Sequence, residues 1–600
     1  MSEGHFHTSA VSYAGPLLTP KISEELPSKP PRRTKQREGS SEDDGPAILG
    51  DTELRNEDYR CGGPNLVRLP ALSEVIKSSE PIRILFEKEL IGPLRDVLEK
   101  WNVDSQYINV VRRYSVRARP EAPAATVIVS AKKHELDNSW LLACRGIRDL
   151  FLEHGQATLQ IEISDGRALE PIISQSIPRH DPFAHAWPEL QSQILAILSD
   201  MEWTLLTVLL RGPPGGPFIP TIVICVREDS LQNWNDTRDT IVQHLDSNYL
   251  THITVEILRD SIFHCSDQEG TLDERDWDMK AKLGGSLGLR GKSTSSFTFG
   301  GFLELEFSHG QWRKYGVTNF HCVANDKHLD DWKKHGILPG DSRNYLSVDH
   351  PSLADHSMSI RYYENKATRI RTESYYEIKK RLEDEDPSLS ENTKTTFNYD
   401  TDRLNGYIKK VKLANAFHQQ GNRYLGGVYA ASGYRISTTS RMLDWALIEV
   451  RSERLSKNKI PLMEDIPESR RGEYHPASAV LQAATPVEAD MSLCKVGRRT
   501  GFTEGRLNTL HVTQVQKWSQ NKDGSWTKIC GSLHEIVPVA PQGRFGDAGD
   551  SGSFIMDRHG SFVGLYVGGC LETGTGYFME ASDLFHDIEK ITGATNVRVP

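Results

Sequence analysis

The stretch that decides the fold of the C-terminal half is Gly546-Asp547-Ala548-Gly549-Asp550-Ser551-Gly552, which continues into Ser553-Phe554-Ile555-Met556. A Gly-Asp-Ser-Gly turn before an apolar strand permits the backbone torsions that raise a serine hydroxyl out of a tight loop. The same kind of loop directs backbone N–H groups toward one point, as a developing oxyanion requires. The segment therefore predicts a candidate nucleophile at Ser551.

Two further segments supply partners for such a serine. Tyr315-Gly316-Val317-Thr318-Asn319-Phe320-His321-Cys322-Val323 is an apolar strand that ends in a turn carrying His321. Leu443-Asp444-Trp445-Ala446-Leu447-Ile448-Glu449-Val450 places Asp444 at the start of another apolar strand. A neutral imidazole can take the proton of a serine hydroxyl, and a carboxylate can orient that imidazole. His321, Asp444 and Ser551 are thus a candidate triad, in which Asp444 has the competitors Asp330, Asp349 and Asp355.

The three segments and their order resemble the trypsin-like serine proteases of the chymotrypsin type, in which the triad runs His, Asp, Ser along the chain. They are similar to that family's Ala-Ala-His-Cys, Asp-Ile-Ala-Leu and Gly-Asp-Ser-Gly segments. Residues 494–505, CKVGRRTGFTEG, resemble the Lys-x-Gly-Arg-Thr-Thr-Gly-x-Thr-x-Gly strand and turn of bacterial and fungal members. The long N-terminal region without a signal peptide is similar to that of intracellular fungal trypsin-like peptidases, and the resemblance covers about residues 283–590.

The resemblance implies a double antiparallel β-barrel, a serine endopeptidase activity on protein or peptide substrates, and no cofactor or metal. It implies an oxyanion hole formed by the backbone N–H groups of Gly549 and Ser551. It also implies a substrate-binding pocket with an apolar preference at the residue before the cut, since no carboxylate is available there. The residues of this pocket are Phe545 at its floor, Val567, Gly568 and Gly569 on its wall strand, and Gly576 opposite.

Asp550, directly before the nucleophile, marks a departure from the secreted members of that family. In those enzymes a newly cut N-terminus pairs with this aspartate, but no Arg-Ile-Val-Gly-Gly cleavage site is present here. Lys282-Leu283-Gly284-Gly285 is only a distant echo of one. We therefore expect Asp550 to find either an internal cation or backbone donors.

The composition of the 600 residues restricts partners and location. A formal net charge of −10 argues against nucleic acid as the main partner. Neither an apolar window long enough for a membrane span nor a secretory signal is found, so no membrane is expected. The eight cysteines include Cys322, which lacks the upstream cysteine that staples the histidine loop of secreted enzymes. These features predict a cytoplasmic protein, with a nuclear location as the alternative if the basic run 29–37 is an import signal.

The chain divides into several regions. Residues 1–60 are rich in Ser, Pro and charged residues and are expected to form a disordered tail. Residues 65–265 predict an α/β module with an internal repeat of two strand–helix–strand units, each with a tryptophan at the start of its helix (Trp140 and Trp234). This module is a candidate binding site for a protein partner.

A charged linker is expected at 266–282, followed by the all-β protease domain at 283–595. The chain between His321 and Asp444 is longer than one barrel needs. The excess, at about 360–420, has helical spacing and predicts an inserted helical pair. This insertion is interpreted either as a solvated surface addition or as a lid or substrate-docking arm.

Two functions from different classes compete. The first is an intracellular serine endopeptidase that works through an acyl-enzyme. The second is a catalytically silent scaffold that retains the protease fold and binds partners through the repeat module. A silent domain has no chemical reason to keep all three triad residues, which favours the first. An esterase using the same triad is disfavoured, because the Gly-x-Ser-x-Gly elbow with Ser-Asp-His order is absent.

Overall fold

The computed structural model describes residues 34–36, 54–57, 59–64, 66–67, 69–115, 122–135, 137–227, 230, 232, 234–259, 271–293, 296–308, 310–324, 329–341, 343–520, 526–539 and 543–600. The tail predicted at 1–60, with its basic run, lies mostly outside these residues. The described pieces of that segment include two short strands and the start of a third.

The N-terminal half alternates strands with helices. Its strands are β1 (Thr34–Gln36), β2 (Arg55–Glu57), β3 (Arg60–Gly63), β4 (Ala71–Val75), β5 (Asp104–Ser115), β6 (Ala124–Lys132), β7 (Gln160–Ser164), β8 (Ile173–Gln175), β9 (Trp203–Gly212), β10 (Ile219–Val226) and β11 (Thr254–Arg259). Its α-helices are α1 (Pro81–Leu85), α2 (Ile91–Lys100), α3 (Ser139–Glu153), α4 (Pro182–Ile197) and α5 (Asn235–Ser247).

Two strand–helix–strand units occur in this half, and they lie in different sheets. Strands β6 and β7 pair in parallel around α3, and β10 and β11 pair in parallel around α5. The first unit belongs to a six-stranded sheet of order β2-β3-β7-β6-β5-β4 with its own apolar core. The second unit belongs to a sheet that extends into the C-terminal half, in the order β1-β11-β10-β9.

The next region is an antiparallel sheet with helices inserted in it. Its strands are β12 (Gly285–Leu289), β13 (Phe297–Phe299), β14 (Gly301–Phe307), β15 (Gln311–Thr318), β16 (Ser347–Asp349), β17 (Tyr424–Ala431), the short pair β18 (Arg435–Ile436) and β19 (Met442–Leu443), and β20 (Ala446–Val450). The helices are α6 (Phe320–Val323), α7 (Leu329–His335), α8 (Leu353–Ile370), α9 (Glu373–Glu383) and α10 (Glu391–Gln419). The sheet has the order β13-β12-β16-β17-β20-β15-β14, and its neighbours are antiparallel.

The insertion between β16 and β17 contains three helices where the sequence predicts a pair. Ser352, Thr372 and Ser390 cap α8, α9 and α10, each accepting a hydrogen bond from a backbone N–H of the first turn. The segment expected to be a linker packs against this insertion. The Leu272 N–H donates to Ser359 Oγ at 2.7 Å, and the Trp277 indole donates to His356 Nδ1 at 3.2 Å.

The C-terminal region forms a closed six-stranded antiparallel barrel. Its elements are β21 (Gln482–Ala484), β22 (Ser492–Gly497), β23 (Gly501–Leu507), β24 (Val512–Gln520), β25 (Trp526–Pro538), β26 (Phe554–Asp557), β27 (Ser561–Gly569), β28 (Gly576–Glu580), α11 (Ala581–Thr592) and β29 (Asn596–Arg598). The ring runs β25-β23-β22-β26-β27-β28 and closes where β28 pairs with β25. Strand β29 returns to pair with β14 of the preceding sheet. Of the double antiparallel barrel predicted for residues 283–595, this closed barrel is confirmed.

The N-terminal module and the barrel share backbone hydrogen bonds. Strand β9 pairs antiparallel with β24, with Leu205 and Leu206 opposite Gln514 and Thr513. Polar contacts extend this junction: Asn508 Nδ2 donates to the carbonyl of Val208 at 2.9 Å. The second strand–helix–strand unit is thus part of the same 13-stranded sheet as the barrel strands.

A buried carboxyl group at this junction predicts a pH dependence. Thr207 Oγ1 and Asn508 Nδ2 donate to Glu535 Oε2 at 2.5 Å and 2.8 Å. Burial raises the pKa of Glu535 to about 7, above its ordinary value. The folded chain therefore holds a proton that the unfolded chain releases, so stability is present at acidic pH and is lost as pH rises through 7. We expect the free energy of unfolding to fall by about 3 kcal/mol, because of this group, between acidic pH and pH values above 7.

The thermal unfolding midpoint, measured at several pH values from 5 to 8.5, checks this. The variant Glu535→Gln should show a flatter pH profile than the unmodified chain, whereas Glu383→Gln, on α9, should not. Parallel profiles for Glu535→Gln and the unmodified chain would contradict the prediction.

Candidate active site

His321 and Asp444 are held together by two hydrogen bonds. His321 lies on the short helix α6, at the end of β15, and Asp444 lies between β19 and β20. The His321 backbone N–H donates to Asp444 Oδ1 at 2.9 Å, and His321 Nδ1 is in short contact with Asp444 Oδ2. Asn319 Nδ2 donates to the Asp444 backbone carbonyl at 2.6 Å. This bond also holds the backbone of Asp444 next to the segment that carries His321. One carboxylate thus fixes both the ring and the backbone of the histidine.

Ser551 lies in the turn before β26, against the strands that lead to His321. Its carbonyl accepts a hydrogen bond from the Thr298 N–H at 2.9 Å, and its hydroxyl donates to the Val567 carbonyl at 2.9 Å. Its neighbour Gly552 packs on Thr318, near the end of β15. The turn of Ser551 therefore lies next to the end of β15 that leads into His321, where the antiparallel sheet contacts the closed barrel.

The competing aspartates have other partners. Asp355 forms an ion pair with Arg498, and Asp349 forms one with Arg423, with N–O separations of 2.8 Å and 3.2 Å. The side chain of Asp330 lies outside the described residues. Of the described candidates, Asp444 is the one whose carboxylate contacts His321.

Two glycines of the turn have left-handed backbone torsions. Gly549 has φ +96° and Gly552 has φ +94°, a region that side chains with a Cβ rarely adopt. A Cβ on Gly552 would also lie 2.4 Å from both the Thr298 carbonyl and Thr318 Oγ1. The glycines of the motif are therefore required by the shape of the loop.

Asp550 is paired with an internal cation and with backbone donors. Its carboxylate accepts from Lys495 Nζ at 2.9 Å, from Thr500 Oγ1 at 2.6 Å and from the Arg499 N–H at 2.8 Å. Both members of the Lys495–Asp550 pair are fully buried. Burial would raise the pKa of Asp550, but Lys495, Thr500 and the Arg499 amide together hold that pKa below its ordinary value. The sequence left open whether Asp550 finds an internal cation or backbone donors, and in the structure it has both.

The five residues predicted to bind substrate lie together in the barrel. Gly569 on β27 is paired with Gly576 on β28, and Gly568 is paired with Tyr577. The Phe545 N–H donates to the Gly574 carbonyl at 2.9 Å, and a Cβ on Gly576 would lie 2.6 Å from the Phe545 ring. Val567, which accepts from the Ser551 hydroxyl, completes the group.

The loop after the wall strand is held by the N-terminal module. Ser174 Oγ donates to the Thr573 carbonyl at 2.8 Å, and Arg211 Nη1 contacts the Glu572 carbonyl at 3.4 Å. At the end of the wall strand the sulfurs of Cys225 and Cys570 are 3.7 Å apart. In this arrangement Ser551 is fully buried.

Sequence reasoning missed several residues that shape this site. Lys495 was recognised within a motif, but its partner was not, and the role of Asp355 next to Arg498 was not foreseen. Thr298, whose N–H and Oγ1 contact the carbonyls of Ser551 and Gly549, was also missed. A buried aspartate beside a nucleophile requires a counter-charge, so a search for lysines on neighbouring strands could have found Lys495.

Comparisons with known proteins found one family model and several solved structures that are similar to this chain. The model of the family described as Peptidase family S64 matches residues 276–596. No curated protein matches the sequence significantly. Among solved structures, a glutamic-acid-specific serine protease has 11% identity and a TM-score of 0.24, covering 53% of this chain and 100% of its own.

Two bacterial structures give similar values. The chymotrypsin of Cellulomonas bogoriensis has 12% identity and a TM-score of 0.23, covering 54% of this chain and 98% of its own. Protease A of Thermobifida fusca has 10% identity and a TM-score of 0.20, covering 50% of this chain and 92% of its own.

Proposed function

We propose, from the premise that the chain belongs to peptidase family S64, that it is a serine endopeptidase whose triad is His321, Asp444 and Ser551. The observation that carries the proposal is the double hydrogen bond from His321 to Asp444 beside the glycine-rich turn of Ser551. In the proposal, Nε2 is the ring nitrogen that takes the serine proton; it lies 3.4 Å from Cys322 Sγ.

The reaction would follow from these contacts. Ser551 Oγ attacks the carbonyl carbon of the peptide bond while His321 Nε2 takes its proton. Asp444 keeps the proton of the neutral ring on Nδ1 and stabilises the imidazolium that forms. His321 then returns its proton to the leaving amine, which leaves an acyl-enzyme on Ser551. Water, deprotonated by the same imidazole, hydrolyses the ester and restores the serine.

The turn would stabilise the tetrahedral oxyanion. The backbone N–H groups of Gly549 and Ser551 are the proposed donors, and each such donor contributes about 3 kcal/mol to the transition state. The positive φ of Gly549 and the buried Asp550–Lys495 pair support this conformation of the turn. In the proposal, the internal Lys495 does the work that a newly cut N-terminus does in secreted enzymes of the resembling family.

Reaction with a fluorophosphonate probe tests the proposal. Ser551 Oγ would attack phosphorus, fluoride would leave, and the proton would pass to His321, so that one probe is bound per chain. Ser551→Ala and His321→Ala should each abolish labelling, because an ordinary serine hydroxyl is unreactive. Ser561→Ala, at the start of β27, is the control and should retain it.

A silent scaffold is the alternative, and it makes a different prediction. Ser551 is fully buried, and a latent enzyme would have its access restricted by the N-terminal module, which contacts the loop after the wall strand through Ser174 and Arg211. If the full chain does not label, a fragment starting near Ser266 separates the two cases. A latent enzyme gains labelling on truncation, whereas continued failure of the folded fragment to label would favour the scaffold.

Three further expectations are part of the proposal. The apolar preference before the cut rests on Phe545, whose fully buried ring packs against Tyr566 with the ring centroids 5.9 Å apart. The cytoplasmic location and a protein partner of the N-terminal module stay predictions. Among the described helices, none has the length and apolar composition that a membrane crossing requires.

A further inference from the structure

We propose that Asp355, in the first turn of the inserted helix α8, is a positioning residue that holds the oxyanion turn through Arg498. The inference rests on the proposed function and deepens it: it gives the insertion a part in peptide hydrolysis. Three features of the structure support it: the ion pair of Asp355 with Arg498, the contact of Arg498 with Gly549, and the hydrogen bonds that anchor Asp355.

The ion pair between Arg498 and Asp355 is buried, and both carboxylate oxygens take part in it. Arg498 Nη1 lies 2.8 Å from each carboxylate oxygen of Asp355. The two side chains are 2% and 1% exposed. A buried guanidinium needs a compensating charge, so Asp355 is what permits Arg498 to occupy this position.

Arg498 supports Gly549 from two directions. Its guanidinium occupies the space next to the glycine, since a Cβ on Gly549 would lie 2.7 Å from Arg498 Nη2. Its backbone N–H donates to Thr298 Oγ1 at 3.1 Å, and that hydroxyl donates to the Gly549 carbonyl at 2.9 Å. Movement of Arg498 would therefore release the residue proposed to donate to the oxyanion.

Asp355 is itself anchored to the body of the protease domain. Ser286 Oγ on β12 donates to Asp355 Oδ2 at 2.5 Å, and the Asp355 N–H donates to Ser352 Oγ at 3.0 Å. Ser296 Oγ is 2.7 Å from the same Ser352 hydroxyl. The start of α8 is thus fixed to the β12 side of the sheet, while its carboxylate reaches across to the barrel. A displacement of the inserted helices would be transmitted to Gly549 through one ion pair.

Asp355→Asn tests the inference in the full chain, with Asp349→Asn as the matched control. Both aspartates are buried and each is paired with an arginine, but the ion pairs described for Asp349, with Arg423 and Arg290, do not involve residues of the turn. We expect Asp355→Asn to lower kcat about 10- to 100-fold, less than the roughly 100- to 1,000-fold cost of removing an oxyanion donor, because the Gly549 N–H is displaced and not lost, with KM within about twofold. A peptide aldehyde, which mimics the tetrahedral state, should lose affinity by the same factor as kcat/KM. Asp349→Asn should change neither, and Asp355→Glu should recover part of the loss.

Hydrogen exchange gives a readout that does not depend on activity. Peptides covering residues 546–552 should exchange at least about tenfold faster in Asp355→Asn than in Asp349→Asn, because the turn loses its support. Unchanged exchange at this turn, or a loss of kcat no larger than that of Asp349→Asn, would overturn the inference. Absence of activity in the unmodified and truncated chains would instead contradict the proposed function, and the exchange experiment would still decide the role of Asp355.

Discussion

Asp444→Asn is expected to lower kcat for peptide hydrolysis about 10⁴-fold, with little change in KM. An amide at this position can donate as well as accept, so it favours the ring tautomer with its proton on Nε2. That nitrogen could then no longer accept the proton of Ser551. Steady-state kinetics on a peptide substrate, together with the rate of fluorophosphonate labelling, measures the effect.

Asp349→Asn is again a suitable control, because it removes a buried carboxylate whose described ion pairs are with Arg423 and Arg290 and not with His321. A folded Asp444→Asn variant with near-normal labelling would contradict the assignment of Asp444. The orienting role would then pass to another carboxylate.

Lys495→Met is expected to cause the largest loss of stability, about 3–5 kcal/mol, and to abolish measurable turnover. The substitution leaves Asp550 buried without its cation, and removing one partner of a buried pair costs this amount. Without Lys495, the ionised Asp550 keeps its hydrogen bonds from Thr500 and the Arg499 amide but loses its counter-charge, which favours a rearrangement of the turn toward water that would displace Gly549 and Ser551. Chemical denaturation at neutral pH and labelling of Ser551 measure the two effects.

The pH dependence of that loss has a defined sign. In the unmodified chain the pKa of Asp550 is depressed, so its contribution to stability is present above its ordinary pKa and is lost as pH falls. In Lys495→Met the deficit should therefore shrink toward acidic pH, where Asp550 is protonated. The double variant Lys495→Met/Asp550→Asn should recover part of the stability without recovering turnover.

Arg544→Met is the control for this pair. Arg544 forms an exposed ion pair with Asp547 in the same segment, at 3.0 Å, and exposed pairs contribute at most about 1 kcal/mol. Equal losses for Lys495→Met and Arg544→Met would contradict the role given to Lys495.

The three residues of the proposed triad could be named from the sequence because each lies in a short local pattern. The glycines around Ser551, the strand before His321 and the strand after Asp444 are visible without knowledge of the fold. The order His321, Asp444, Ser551 along the chain then restricted the kinds of triad that these residues could form. The apolar strands of the C-terminal half were predicted for the same reason, since alternation within a strand is a local property.

The supporting contacts could not be predicted, because they join distant segments. Lys495 and Asp550 meet only when β22 and the nucleophile turn are brought together by barrel closure. Asp355 and Arg498 meet across the boundary between the antiparallel sheet and the barrel. The sequence shows the charge of each group, but several aspartates and arginines were equally available as partners. The pairing of β9 with β24 was missed because backbone hydrogen bonds carry no residue-specific signal.

The junction between β9 and β24 has a consequence for any event that separates the two halves of the molecule. With β9 in place, the backbone N–H and C=O groups of β24 at Thr513 and Gln514 face a partner strand. Without it, β24 would become an open edge, a surface that readily accepts a strand from another chain. A released catalytic half would therefore tend to capture an extended segment or to self-associate. The module would then protect the barrel from aggregation, in addition to contacting the loop beside the candidate active site.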